Sequence, residues 1–287
     1  LFLFVQSEAM LFVNWPASSG DWPVDWQTLP VFALSDPIPG FPSSPPQHVP
    51  VLLAGLSTVA ARPSKGWTGG VEVYVLAGDG HFYVHPAWRP YDLNPWRKLE
   101  TPVFIPLLRS EMTLAGSFLL VKSLDLALWV CQLDLAQSPF FSTWERVTPP
   151  GFLVSHVTAT YEGGVCQILA TAITGGLRAA SYTPGQPAEW IEITLTGTTV
   201  NFALPLTSAI HLPGQAWFFA PGAEGKVIAI LWDSARGWSG DQHWSAIEPQ
   251  GFTLHPEGGM AAIARVKGQV ELFARSQDDQ FFRAWWS

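Results

Sequence analysis

Apolar residues along the chain fall into short runs with period-two alternation, and each run is closed by Gly, Asp, Ser or Pro. That pattern predicts β-strands joined by tight turns. Helical periodicity is absent throughout, and 25 Gly with 25 Pro would interrupt helices repeatedly.

The runs repeat. Five segments end in a tryptophan followed by a short alternating stretch: Trp26-Gln-Thr-Leu-Pro30, Trp96-Arg-Lys-Leu-Glu100, Trp144-Glu-Arg-Val-Thr148, Trp190-Ile-Glu-Ile-Thr194 and Trp244-Ser-Ala-Ile-Glu248. The tryptophans are spaced by 70, 48, 46 and 54 residues, the length of a four-stranded propeller blade. Before each marker lie a small-residue segment, a strongly apolar strand, a polar turn and another apolar strand. In the fourth repeat these are 157–161, 165–171, Gly175-Gly176 and 177–182.

The predicted fold is all-β: a six-bladed β-propeller with mostly four-stranded blades, one domain over 1–287. Each repeat is a whole sheet, and radial repetition leaves only short, protected edges. The first repeat begins at its second strand and the last stops after its third, so roughly 20 residues are expected before Leu1, or one blade is incomplete. Residues 31–50, with Asp36-Pro-Ile-Pro-Gly-Phe-Pro-Ser-Ser-Pro-Pro46, are an insertion expected to form a stiff surface loop. The recurring tryptophans are expected to be spacers between blades.

Composition narrows the function. A hydrophobic fraction of 48% with 13% charged residues supplies a core and excludes disorder. Fifteen Lys and Arg against 23 Asp and Glu give a net charge of −8, a poor match for nucleic acid. No apolar run is long enough to span a bilayer, so a soluble protein is expected. The compartment stays open; a secretory route with the N-terminal segment removed is compatible with the start at Leu1. Cys131 and Cys166 are too few for a disulfide framework or a metal site and read as buried free thiols. His81 and His85, before Pro86, read as a surface pattern. Motifs for nucleotide, acyl-transfer or zinc-protease chemistry are absent, so neither a metal nor another cofactor is expected.

The stretch Val270-Glu-Leu-Phe-Ala-Arg-Ser-Gln-Asp-Asp-Gln-Phe-Phe-Arg-Ala-Trp285, preceded by Met260-Ala-Ala-Ile-Ala-Arg265, resembles the blade repeat of fungal and bacterial fucose-specific lectins. The resemblance implies fucose sites between blades, each with an Arg and a Glu from neighbouring strands and an aromatic ring on the sugar's apolar face. The charged pair does not recur: the start of the second strand carries Glu72, Phe118, Gln167, Trp217 and Glu271 in successive repeats. The chain also resembles propeller enzymes of fungal secondary metabolism, the hetero-Diels-Alderases of tropolonic sesquiterpene pathways. What that resemblance implies is an apolar pocket that assists loss of water from a hydroxymethyl tropolone, giving a quinone methide that adds to a sesquiterpene olefin.

Such chemistry needs two reactants held together, water excluded and one or two proton donors. In a propeller, the loops entering the innermost strands and the turns between second and third strands share one face. The candidate donors there are Arg109, Glu111, His156, His211 and His255, with Trp67, Trp217, Trp232 and Glu257 as candidate substrate-binding residues. Each has a plainer reading: Arg109 and Glu111 as an i, i+2 ion pair, the histidines as satisfied strand ends, the tryptophans as packing. Three readings stay open: an enzyme acting on a hydrophobic small molecule, a lectin with a divergent fucose-type site, and a protein-interaction propeller. The oligomeric state is open as well.

Overall fold

In the computed structural model, the described residues are 3–7, 10–14, 27–29, 32–34, 48–50, 59–63, 71–76, 81–88, 97–99, 111–133, 144–238, 244–247, 253–255 and 258–286. The chain divides into two compact units, Leu1–Met112 with Gln132–Trp144, and Thr113–Cys131 with Glu145–Ser287.

In the first unit β1 (Leu3–Ser7), β2 (Met10–Asn14) and β3 (Gln27–Leu29) form an antiparallel meander. The ends of the 31–50 insertion pair with each other, as β4 (Phe32–Leu34) against β5 (His48–Pro50). They add a small ribbon where a loop was expected; 35–47 lie outside the described residues. A four-stranded meander follows: β6 (Val59–Pro63), β7 (Val71–Leu76), β8 (Phe82–Trp88) and β9 (Arg97–Leu99). Its middle strands bury Val73, Tyr74, Val75 and Val84 completely. Contrary to the surface expectation, His85 is buried, because it lies opposite Val73 in a middle strand.

Four further sheets, almost entirely within the second unit, are all in simple strand order. They are β10 (Glu111–Ala115), β11 (Phe118–Lys122), β12 (Leu128–Gln132) and β13 (Glu145–Arg146); β14 (Val154–Glu162), β15 (Val165–Ala172), β16 (Leu177–Tyr182) and β17 (Glu189–Ile193); β18 (Thr207–Leu212), β19 (Gln215–Pro221), β20 (Val227–Asp233) and β21 (Trp244–Ile247); and β22 (Met260–Val266), β23 (Gln269–Arg275) and β24 (Phe281–Trp286).

The core is divided among the junctions of consecutive sheets. One cluster joins Leu120, Leu128 and Phe152 to Ile168 and Tyr182; a second joins Leu169, Leu177 and Ala179 to Phe218 and Ile230; a third joins Phe219 and Ala229 to Val270 and Leu272. A sheet covered on both faces needs middle strands that are apolar on both sides. β15 accordingly has seven buried residues in a row, whereas outer β21 has none. Innermost strands of neighbouring sheets are tied by Thr158 Oγ1 to Ser208 Oγ (2.8 Å) and by the Ala262 N–H donating to Thr207 Oγ1 (3.0 Å).

The marker tryptophans sit at these junctions. Trp190 packs edge-on against Phe152 at 4.9 Å and donates its indole N–H to the Val147 carbonyl (2.8 Å), joining its sheet to the preceding one. Trp244 packs against the second cluster. Trp144, in the first unit, stacks on Phe82 at 6.1 Å. Trp26 and Trp96 lie outside the described residues.

The turns between second and third strands share a construction. Their fourth residue is left-handed in each sheet of the second unit: Leu126 (φ 62°), Gly175 (83°), Gly225 (73°) and Asp279 (64°). Two of them are also braced by a serine hydroxyl bonded to the Asp two residues on, Ser123 to Asp125 and Ser276 to Asp278.

Both cysteines are free and buried, and burial raises the Cys131 and Cys166 thiols far above their usual range. No helix among the described residues is long and apolar enough to cross a membrane.

Candidate functional site

The hairpins that open each sheet put corresponding residues in register. The pairs Glu162–Val165, Leu212–Gln215 and Val266–Gln269 close three successive hairpins, and two residues further stand Gln167, Trp217 and Glu271. Phe118, the first residue of β11, is out of step with them and packs in the core against Tyr161 and Tyr182. Across the sheet, Gln167 faces Ser181, Trp217 faces Leu231 and Glu271 faces Trp285. The same place in three sheets therefore has three chemistries.

At Gln167 the place is a groove of about 700 Å³ between sheets β14–β17 and β18–β21. Glu162, Gln167, Ser181 and Glu189 come from the first sheet and its hairpin; Gly214, Trp232, Ser234 and Gly237 come from the second. Gln167 is 3% exposed, and its Oε1 accepts from Ser181 Oγ at 2.6 Å and from Trp238 Nε1 at 2.8 Å. Neither bond uses the amide nitrogen. Glu162 Oε1 accepts the Gly214 N–H at 2.6 Å, fixing the carboxylate across the junction, while its Oε2 is buried and has no partner. Trp232, 6% exposed, likewise has no acceptor for its indole N–H. Just outside, hydrogen bonds from the Ala235 N–H and the Gln215 amide hold the Asp233 carboxyl below the usual range.

At Trp217 the equivalent place is filled. The indole stacks on Phe219 at 6.3 Å and packs into the cluster between the last two sheets. At Glu271 the place is charged and open: Arg283 Nε donates to the buried Glu271 carboxylate at 3.0 Å, and the guanidinium lies 5.7 Å from the ring of the exposed Trp285.

A second groove, about 590 Å³, lies on the face of the loops that lead into the innermost strands. Val200, Phe202, Leu204, Leu254 and His255 line it. His255 donates its backbone N–H to the Arg275 carbonyl (2.9 Å), and its Nε2 is 3.6 Å from the Asp279 carboxylate, which also binds Arg275 at 2.7 Å.

The structure separates the residues singled out from sequence. His255 lines the second groove, and Trp232 lines the first. His156 stands near the start of β14, with its backbone N–H donated to Thr171 Oγ1 (3.1 Å), and Glu111 opens β10. His211 is at the other end of its strand, at a bulge beside the hairpin turn, and its carbonyl accepts from Gly268 (3.0 Å). It does not face the loops that hold His255. Arg109, Trp67 and Glu257 lie outside the described residues. Sequence reading noted Gln167 only as a lost arginine and missed Glu162 and Ser181, whose meeting depends on hairpin register. Among the described residues no group of three or more His, Cys, Asp or Glu is placed to hold a metal ion.

No protein-family model matches the chain, and no curated protein is similar to it in sequence. Solved structures are similar in fold. A lectin from Burkholderia pseudomallei matches with a TM-score of 0.63 at 15% identity, over 99% of this chain and 91% of the lectin. AofleA from Arthrobotrys oligospora gives 0.54 at 14%, covering 100% and 82%. A fungal lectin from Aleuria aurantia, a six-bladed β-propeller with a fucose recognition mode of its own, gives 0.52 at 11%, covering 100% and 90%.

The fold is a six-bladed β-propeller. The sheets of three or four strands among the described residues have the form of propeller blades and are numbered as such in chain order, with the β4–β5 ribbon additional to them. The Gln167 groove lies between the fourth and fifth blades, and the Arg283–Glu271 pair lies on the sixth. The propeller's solved neighbours are fucose-lectin-like.

Proposed function

We propose that this propeller binds carbohydrate in the groove between its fourth and fifth blades. The observation that carries this reading is the coexistence there of spare donors, the Gln167 amide nitrogen and the Trp232 indole N–H, with a spare acceptor, Glu162 Oε2. A buried polar atom without a partner costs about 1–3 kcal/mol. A hydroxyl both donates and accepts, so a polyol satisfies the two kinds together. The indole ring of Trp232 adds an apolar wall for the C–H face of a sugar ring. The lectin neighbours support the same reading at the level of fold.

The test is a thermal-shift screen against neutral, N-acetylated and amino monosaccharides. A ligand at 100 times its Kd adds about 2.7 kcal/mol to stability. A shift in the native protein that is lost in Gln167→Ala is expected; no shift with any sugar, or an undiminished shift in the variant, overturns the reading.

A second reading attaches to the groove at His255, where Phe202, Leu204 and Leu254 supply an apolar floor. That chemistry suits a hydrophobic small molecule, the substrate class implied by the resemblance to hetero-Diels-Alderases, with His255 as the group nearest to a proton donor. Incubating the protein with a hydroxymethyl tropolone and a sesquiterpene olefin tests it: adduct formed faster than in buffer, and slowed by His255→Ala, supports catalysis, and equal rates with and without protein remove it.

A further inference from the structure

The charge of the Gln167 groove says which sugar. Among the described residues its lining has two carboxylates, Glu162 and Glu189, and no Lys, Arg or His. One carboxylate oxygen, Glu162 Oε2, is buried and unpartnered, while the other is locked by Gly214. Trp232, more than nine-tenths buried, lines the same groove with a spare indole N–H. A carboxylate held out of water favours a cation that can hydrogen-bond to it.

We infer, on the basis of the carbohydrate reading, that the groove selects sugars bearing a free ammonium group, such as 2-amino-2-deoxyhexoses or their oligomers. The ammonium lies against Glu162 and Glu189, while the ring hydroxyls meet Gln167 and Ser181. An N-acetylated sugar has no charge for the carboxylates, and an anionic sugar is repelled. This occupant differs from the one implied by an Arg–Glu site, where the arginine would repel an ammonium; here a neutral glutamine stands at the centre.

The experiment is calorimetric titration of the full chain with glucosamine, galactosamine and mannosamine, their N-acetyl forms and the parent hexoses, at a mildly acidic pH that keeps amines charged and carboxylates ionised. The expected result is a preference of about 10-fold or more for an amine over its parent sugar, equivalent to about 1.4 kcal/mol, which shrinks as salt is raised. In Glu162→Gln, which can keep the oxygen that binds Gly214, and in Glu189→Gln, at an exposed position, the amine-to-parent ratio should fall towards one. Equal affinities for amine and parent sugar overturn the ammonium assignment and leave the carbohydrate reading standing. Failure of every sugar to bind overturns both.

Discussion

The indole N–H of Trp238, on the fifth blade, donates to the side-chain oxygen of Gln167, on the fourth, across 2.8 Å. Ser181 donates to the same oxygen, so one glutamine fastens the two blades and fixes its own amide nitrogen at the groove. Trp238→Phe removes the donor together with part of a ring system that packs 5.0 Å from Phe218, and should cost at least the hydrogen bond's about 0.5–1.5 kcal/mol in urea unfolding. Gln167→Ala strands two donors and should cost more, about 1–3 kcal/mol. If the phenylalanine variant proves the more damaging, packing rather than the hydrogen bond joins the blades here.

Gly116 closes the first hairpin of the third blade at φ +58°, and a Cβ there would stand 2.1 Å from Tyr161 Cδ1 on the next blade. Tyr161 is itself packed edge-on against Phe118 at 5.2 Å. Gly116→Ala should therefore combine a left-handed penalty of about 1–2 kcal/mol with an overpacking cost of about 1–3 kcal/mol. Gly163→Ala, at φ +59° with open space around it, carries the first cost alone. Chemical denaturation of the two variants separates the terms, and equal losses would mean that Tyr161 moves aside freely.

Glu224 has φ 60°, where its side chain gains little: it is 80% exposed, with a carboxylate 3.5 Å from Lys226. Glycine relieves the left-handed strain of about 1–2 kcal/mol, against about 0.4–1 kcal/mol of extra unfolded-chain entropy and an exposed ion pair of about 0–1 kcal/mol. Glu224→Gly should raise the unfolding midpoint by the equivalent of about 0.5 kcal/mol, whereas Glu224→Ala, which keeps the strain, should not. A glycine variant no more stable than the alanine variant would show that the backbone is relaxed at this turn.

The fold was legible because blade packing makes a local demand. Each junction takes a large ring, so Trp144, Trp190 and Trp244 recur, and a middle strand such as β15 is covered on both faces and apolar apart from Gln167 and Thr171. The site was less legible because it depends on registers that sequence spacing does not reveal. Phe118 looked equivalent to Gln167 and Trp217, yet it directly follows its hairpin turn at Gly116-Ser117, as Val165 and Gln215 follow theirs, and so stands two places earlier on its strand. His211 and His255 looked alike as strand-end histidines, but one leaves its strand at a hairpin and the other precedes its strand in a loop, so they occupy different ends of the blades. Glu162 was invisible for the same reason: its value comes from Gly214, 52 residues on in the chain.

The acid limb of stability offers a last test, at Asp125. The Ser123 hydroxyl, followed by the Ala127 N–H and the charge of Arg146, holds this carboxyl below its ordinary value despite partial desolvation. A carboxylate depressed in the folded state binds its proton more readily when unfolded. Its contribution is therefore complete above the unfolded pKa and is lost as pH falls through the folded one. Asp125→Asn should be less stable than the native protein at neutral pH, and the gap between their urea midpoints should close on acidification. A gap independent of pH would assign the turn's stability to its shape, which asparagine can also adopt, and not to the ionised carboxylate.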